Sequence, residues 1–322
     1  MATALISDFK IYEEQMFSGM AERAAVVADI FNQRSNGAII LETKELFGNY
    51  NKASFFPAIA DLVVRQDLTS ISAATAVKPT QDEFIGVKCN QRVGPVDFTL
   101  NALRRSIGKF TPEAYSIYLG EQIADAIMQR MVTVGVKALV AAITGNTAML
   151  TDVSTTSKLT TEQLIIGTSV FGDASEKIVC WLMHSKPWFD LLKDQAALGL
   201  DTVSGLAIAN GSVATLGKPV IKTDNASLVN SAKYYSLGLA AGALRITESE
   251  ARQITSEWVT GLEQLVYRVQ GELAFNVEVL GFKYDTGNGG SNPSDATIAT
   301  TTNWDQAATD DKNTAGVCIY TL

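Results

Sequence analysis

The sequence predicts an α+β fold, because two extended segments precede one very long helix. The extended segments are Leu62–Ile71 and Phe84–Val93. In the second segment apolar residues alternate with glycine or polar residues, as in a strand with one apolar face. Its apolar positions are Ile85, Val87, Cys89 and Val93, and the intervening ones include Gly86, Lys88, Asn90 and Arg92. A two-stranded arm about ten residues long spans roughly 33 Å, is marginal alone in water and needs a surface to pack on.

The long helix is predicted to begin at Thr111-Pro112-Glu113 and to run to Gly145. This start combines a hydroxyl N-cap, a proline at the first helical position and an acid in the first turn. The helix has an apolar stripe formed by Leu119, Ile123, Ile127, Met131, Val134 and Ala138. Its pattern is that of an ordinary core-facing helix, but its length, ~50 Å, is unusual.

Residues 1–50 are predicted to form an arm that contains a helix. Apolar residues recur there at three- and four-residue spacing, namely Met16, Met20, Ala24, Val27 and Phe31. Gly37 after Asn36 predicts the end of this helix. The apolar, aromatic segment Leu46–Tyr50 is interpreted as a packed contact, either with the same subunit or with a neighbour.

Beyond the long helix, a Ser/Thr-rich boundary at 151–161 precedes a segment of short alternating elements. Strands are predicted at Lys177–Leu182 and Tyr234–Leu239, and a short helix from Ser185 to Lys193. Leu216–Ile221 is predicted to be a turn that leads into a further strand. Two extended segments follow, Leu262–Phe275 and Val277–Tyr284, the second placing Leu280, Phe282 and Tyr284 on one face. Asp285–Pro293 is predicted to be a mobile surface loop.

Composition indicates a globular protein of one to three domains, with 322 residues, 47% apolar and 19% charged. The net charge of −8 argues against general binding to nucleic acids or anionic membranes, which depends on clustered Lys and Arg. No window approaches 18 uninterrupted apolar residues, so no membrane partner is expected. The first ten residues lack the basic and apolar regions of a signal peptide.

Neither catalysis nor a cofactor or metal site is predicted. Any Ser-His-Asp or Cys-His arrangement would have to use the single histidine, His184, for which a hydrogen-bonded structural role is favoured. Cys89, Cys180 and Cys318 lack metal-ligand spacing, and Cys180 is expected to be a buried reduced thiol. The carboxylate pairs Glu248/Glu250 and Asp310-Asp311 are interpreted as solvated.

Several segments, in their order along the chain, carry a resemblance to a known family. They are Leu62–Asp67, Val87–Val96, Leu119–Gln122, Trp181–Ser185, Asn292–Ser294, Thr302–Trp304 and Asp311–Val317. Over residues 50–320 this order resembles the major capsid (coat) proteins of tailed bacteriophages with the Hong Kong 97-type fold. The resemblance implies a structural protein that self-assembles into the icosahedral head shell, within the virion, around double-stranded DNA.

The resemblance also implies a division of the chain. Residues 1–50 would be an N-terminal arm reaching over a neighbour, and 54–104 an extended β-hairpin loop lying across an adjacent subunit. Residues 105–155 and 244–285 would form the peripheral domain, with the long helix as its spine. Residues 156–243 would form the axial α/β domain around the five- and six-fold axes, and 286–322 a C-terminal segment.

The implied partners are copies of the same chain in pentamers and hexamers. Some family members carry a cleaved N-terminal scaffolding extension; because this sequence begins at Met1, we expect a separate scaffolding protein, together with a portal. Packaged DNA would be contacted weakly and non-specifically, and assembly would occur in the host cytoplasm. An encapsulin-like nanocompartment shell is the alternative with the same fold, and a soluble enzyme with a pocket around His184 comes third.

Six residues are candidates for inter-subunit contacts. Arg65, Asp67, Lys88 and Arg92 lie on the predicted extended loop, where they either pair with a neighbour's charges or lie on a solvated strand face. Phe55 and Phe56 precede Pro57 and either anchor the base of the loop or pack in the core. Some family members join subunits covalently through Lys and Asn, but no such pair is identified here.

Overall fold

A computed structural model describes most of the chain, namely residues 13–57, 63–66, 69, 73, 76–99, 112–201, 215–264 and 266–322. The α-helices of this part are α1 (Glu13–Arg34), α2 (Pro112–Gly145), α3 (Thr161–Ser169), α4 (Ser185–Asp201), α5 (Thr286–Gly289) and α6 (Asp295–Ile298). Its first strands are β1 (Ile39–Thr43), β2 (Tyr50–Phe55), β3 (Asp82–Thr99), β4 (Leu150–Asp152), β5 (Ile178–Met183) and β6 (Val220–Lys222). The later strands are β7 (Val229–Asn230), β8 (Lys233–Ala240), β9 (Leu244–Val259), β10 (Val266–Val279), β11 (Phe282–Tyr284), β12 (Trp304–Gln306) and β13 (Gly316–Thr321).

The larger strands form a five-stranded sheet in the order β1-β9-β10-β3-β2. β1 runs parallel to β9, and the other neighbours are antiparallel. β9 and β10 form a long hairpin of 16 and 14 residues, and β3 extends along β10 for most of that length. β1 and β2 cover only one end of the sheet, so β9 and β3 continue past them.

The predicted long helix is confirmed as α2, which has 34 residues. Its apolar stripe is buried from Ile123 to Ala138, with Leu119 half-buried near its start. The helix predicted in the first fifty residues is also confirmed as α1, and its Met16 and Met20 are buried. α1 packs on α2, and backbone contacts backbone where Gly120 lies beside the Met16 carbonyl.

A second sheet has the order β4-β13-β8-β5-β6, with β7 paired to β8. The predicted strands that became β5 and β8 and the helix that became α4 are confirmed. Trp181 of β5 is fully buried against Gly238 of β8, where a Cβ would collide with its ring. The sheet also includes β4 and β13, so the predicted boundaries at 155 and 286 separate strands that pair within one sheet.

The strand predicted at Leu62–Ile71 is wrong for the part that can be described. Residues 63–66 have no strand conformation, and the rest of that segment, apart from Thr69, lies outside the described residues. β2 supplies the antiparallel partner of β3 instead, with Tyr50 opposite Val87 and Phe55 opposite Asp82. An extended segment becomes a strand only where a neighbouring strand accepts its backbone hydrogen bonds, and here β2 occupies that place.

Two predictions near the end of the chain are also corrected. β10 is one continuous strand through Asn276, and Leu280 lies in a turn, 39% exposed, not on the buried face of Phe282 and Tyr284. The turn depends on Gly281, whose φ of 79° suits glycine. The segment predicted as a mobile loop begins with α5, which the Asp285 carboxylate caps by accepting hydrogen bonds from the backbone N–H groups of Gly287 and Asn288.

Candidate inter-subunit surface

The base of the extended loop is held by two stacked phenylalanines. Phe55 at the end of β2 lies over Phe84 of β3, with ring centroids 4.1 Å apart and planes inclined by 11°. The next residue, Phe56, is 74% exposed. Phe55 therefore packs within its own subunit, and Phe56 presents apolar surface that the described part of the chain leaves uncovered.

Lys88 is used inside the subunit. Its side chain is almost completely buried, and Nζ donates hydrogen bonds to Glu250 Oε1 at 2.8 Å and to the Leu46 carbonyl at 3.1 Å. A solvated strand face, one of the two predictions for Lys88, is therefore wrong. Both faces of β3 are covered here, because Gly86 and Val87 are buried as well.

Arg92 and Arg65 are exposed, whereas Asp67 lies outside the described residues. Arg92 stands opposite Glu272 in the pairing of β3 with β10, on the outer face of the sheet. Arg65 follows Val63 and Val64, which are 93% and 73% exposed. The structure does not bring together the five candidates that it describes: Arg65 and Phe56 lie beyond the end of β2, Phe55 is the last residue of β2, and Lys88 and Arg92 lie in β3.

The segment predicted as a packed contact, Leu46–Tyr50, has a fixed backbone and one exposed aromatic ring. The Leu46 N–H donates to the Ser249 carbonyl at 3.2 Å, and the Asn49 carbonyl accepts from the Lys88 N–H at 3.0 Å. Phe47 between them is 91% exposed. The backbone contact is with the same subunit, while the aromatic side chain is presented to the outside.

A largely apolar groove lies between α1 and β9. We call it the α1–β9 groove. Its lining residues are Met20, Ala21, Ala24, Ala25, Ala28, Leu41, Glu42, Thr43, Met128, Met131, Glu248, Ala251 and Arg252. The cavity measures about 380 Å³. Sequence reasoning missed it because four elements form it, although the alanines clustered on one face of α1 were a usable signal.

The charges in the groove are already paired. Glu248, predicted to be solvated, is buried, and its carboxylate accepts two hydrogen bonds from the Arg252 guanidinium, at 2.6 and 2.8 Å. Such a bidentate pair satisfies both partners and leaves no unpaired charge in the floor. The groove can therefore receive an apolar side chain without a desolvation penalty for an isolated ion.

His184 does not form a nucleophile–base pair. Its Nδ1 accepts the backbone N–H of Lys186 at 3.2 Å, so this nitrogen is occupied where it approaches the Ser185 hydroxyl at 3.5 Å. Its Nε2 lies 3.6 Å from the Asp224 carboxylate. These contacts hold the junction between β5 and α4, which is a structural role.

The cysteines are buried and unsuited to chemistry at neutral pH. Burial raises the pKa of the Cys89 and Cys180 thiols to about 12, and it raises the pKa of the Cys318 thiol as well. Unprotonated thiolate is the reactive form, so these thiols are inert. In the described stretches no group of three or more His, Cys, Asp or Glu side chains could hold a metal ion.

Part of α2, Ser116–Gly145, is long and apolar enough to cross a membrane by length and composition alone. Of its most apolar window, 67% is buried inside the protein. Burial against α1 and the two sheets explains this composition, because a core helix needs apolar residues on most of its surface.

Solved structures of phage capsids share the fold. A chain of the cyanophage Pam1 capsid asymmetric unit is similar with a TM-score of 0.54 and 11% identity, covering 89% of this chain and 91% of that one. A chain from Mycobacterium phage Bobi has a TM-score of 0.53 and 14% identity, with 88% of each chain covered. A chain from the capsid of Ralstonia phage GP4 has a TM-score of 0.50 and 10% identity, with 89% of this chain and 87% of that chain covered. No curated protein sequence matches the chain.

The fold is therefore the one that these phage capsid chains share, the Hong Kong 97-type fold. The chain belongs to the Gp13-like family, described as major capsid protein 13-like, whose model matches residues 8–318. It is a major capsid protein of the virion and associates with copies of itself. The family is one of major capsid proteins, which favours the phage head over the encapsulin-like alternative.

Proposed function

We propose that this chain builds the icosahedral phage head as pentamers and hexamers, with the extended loop (54–104) of each copy lying across an adjacent copy. The observation that carries the proposal is the exposed apolar surface of that loop. Phe56, Val63 and Val64 are each more than 70% exposed. Exposed apolar side chains in one segment indicate a protein contact. β2, which ends at Phe55, is an edge strand of its sheet, so the segment that follows it begins at the border of the subunit's sheet.

In this proposal each of the two larger sheets belongs to one domain of the capsid subunit. The segment 156–243, together with β4 and β13, gathers around the five- and six-fold axes, and the five-stranded sheet with α2 forms the periphery. When one surface contacts a different surface on the next copy, the copies form a closed ring if the rotation between neighbours is a whole fraction of a turn. Shell stability then comes from apolar burial and many weak polar contacts repeated over all copies.

Three further partners belong to the proposal. A separate scaffolding protein and a portal take part in assembly in the host cytoplasm. Double-stranded DNA fills the shell and is contacted weakly, which the net charge of −8 supports, because a strong phosphate-binding surface requires an excess of Lys and Arg.

Electron microscopy of the expressed protein, with size-exclusion chromatography alongside, tests the proposal. Closed shells or curved sheets are expected, alone or with the scaffolding protein supplied. A matched variant in which residues 58–80 are replaced by a short Gly-Ser linker should remain folded by circular dichroism but fail to form shells. A clean monomer from the unmodified chain, even with the scaffolding protein, would contradict the assembly.

A further inference from the structure

We propose that the α1–β9 groove of one subunit receives Val63 and Val64 from the extended loop of the adjacent subunit. The inference rests on the proposed function, in which that loop crosses to a neighbour, and it names the surface on which the loop docks.

The chemistry of the groove fits an apolar occupant. Beside the paired Glu248 and Arg252, its lining contains thioether and aliphatic groups, including the buried Met20, Met128 and Met131. Methionine side chains adapt their shape to an incoming group. Ala21 and Ala25 form an exposed wall with small side chains, which lets another backbone approach closely.

The chemistry of the loop fits the groove. Val63 and Val64 are consecutive and among the most exposed aliphatic side chains of the described chain, at 93% and 73%. Two valine side chains are small enough for a cavity of about 380 Å³. The next residue, Arg65, is exposed, and so is Glu42 at the rim of the groove, so a seated loop brings opposite charges together.

In their own subunit Val63 and Val64 are exposed and do not line the groove, and the sheet order favours a contact between copies in a ring. In the order β1-β9-β10-β3-β2, the loop leaves at β2, while the groove lies at β1 and β9. These opposite edges are four strand spacings apart, roughly 19 Å. A donor on one edge and an acceptor on the other produce a head-to-tail contact, the kind that closes into rings. The stretch from Phe55 to Val64 extends up to about 30 Å, enough to reach an adjacent subunit.

Disulfide trapping tests the contact directly. The double variant Val64→Cys/Ala25→Cys places one thiol on the loop and one on the groove wall, and the three natural cysteines are fully buried and do not interfere. Shells assembled under reducing conditions and then oxidised should give a ladder of covalent multimers that reductant removes. The control pair Val64→Cys/Ser169→Cys, with its second thiol exposed on α3, should give no ladder.

Two results of the trapping experiment would overturn the proposal. Shells without a ladder would show that the loop docks elsewhere, while leaving the assembly itself intact. A monomer band of altered mobility would show that the loop fills the groove of its own subunit. Absence of shells from the unmodified chain would instead refute the proposed function, and the groove contact with it.

A charge substitution gives an independent readout. Val64→Asp should lower shell yield about tenfold or more, because the groove would have to bury an unpaired carboxylate. Val77→Asp is the matched control, since Val77 is also an exposed valine of the extended loop. Equal shell yields from the two variants would contradict the assignment of Val64 to the groove.

Discussion

The Lys88 ammonium of β3 lies 2.8 Å from the Glu250 carboxylate of β9, although β10 separates the two strands in the sheet. Lys88 also donates to the Leu46 carbonyl, so it ties together β3, β9 and the segment after β1. The pair is asymmetric, since the Lys88 side chain is 8% exposed and that of Glu250 60%. Water reaches the carboxylate but hardly the ammonium.

This asymmetry predicts unequal effects of removing the two partners. Glu250→Ala should lower the free energy of unfolding by about 1–3 kcal/mol, because it leaves a buried ammonium with one carbonyl partner. Lys88→Met should cost about 1 kcal/mol or less, because it removes the buried charge and leaves Glu250 in water. In urea denaturation the double variant Lys88→Met/Glu250→Ala should have about the same free energy of unfolding as Lys88→Met alone. If the losses of the two single variants add, the two side chains are not coupled.

The contact between α1 and α2 depends on Gly120. A Cβ on this residue would overlap the backbone carbonyl of Met16, which cannot move without displacing α1. Gly120→Ala should therefore lower the free energy of unfolding by about 1–3 kcal/mol, despite alanine's better helix propensity. Gly135→Ala is the matched control in the same helix, because its Cβ would meet only the side-chain ends of Leu244 and Ile246. If both variants melt at the same temperature, the backbone contact is not required.

The ion pairs of Asp295 should make the free energy of unfolding depend on pH in the acid range. The Arg130 hydrogen bond, followed by that of Lys137, lowers its pKa from 3.8 to about 2. A carboxyl with a lower pKa in the folded state stabilises the protein fully above pH 4, and that stabilisation is lost as pH falls towards 2. Because the side chain is 34% exposed, we expect Asp295→Asn to cost about 1 kcal/mol at pH 7.

Unfolding experiments between pH 7 and pH 2 check this expectation. The difference between the natural chain and Asp295→Asn should shrink as pH falls from 4 to 2. Arg130→Gln should reproduce most of the loss, since its hydrogen bond is the largest cause of the lowered pKa. A difference that does not change with pH would show that packing, not charge, accounts for the effect of the substitution.

The turn between β7 and β8 is strained. Ser231 and Ala232 both have positive φ, 50° and 65°, a region that costs a residue with a Cβ about 1–2 kcal/mol. Ala232→Gly should therefore raise the free energy of unfolding by about 1 kcal/mol. The control Ala299→Gly, at a position with φ of −76°, should instead lower the free energy of unfolding. A lower melting temperature for Ala232→Gly would contradict the strain.

Arg92 remains a predicted inter-subunit contact. Arg92→Glu should reduce shell yield while the monomer stays folded, and normal shell yield would refute the contact. The new carboxylate would also face Glu272 across the β3–β10 pair, which costs roughly 0.2–1 kcal/mol within the subunit. Arg92→Gln separates the effects, because it removes the positive charge without adding repulsion, and it should lower shell yield with unchanged melting.

The sequence predicted best the elements whose residue pattern carries a local signal. α2 was found with its end at Gly145 because its apolar stripe and helix-start residues are local signals. β3 was found through its alternation. β9 was missed, because Thr247, Glu248 and Ser249 are polar although they are buried, so the sequence shows no alternation there. Glu248 was therefore mistaken for a solvated carboxylate, although Arg252 pairs with it.

The sequence by itself determined the mixed α+β class, the spine helix, the strands around Trp181 and Leu237, and the family to which the chain belongs. These features depend on periodicity, on helix caps and on the order of segments, all of which can be read directly from the sequence. Only the tertiary structure decided that β2 pairs with β3, that β13 lies between β4 and β8, and that Lys88 is buried and paired with Glu250 of its own subunit. Strand neighbours and grooves arise from contacts between residues far apart in the chain, and no local pattern encodes which segments meet.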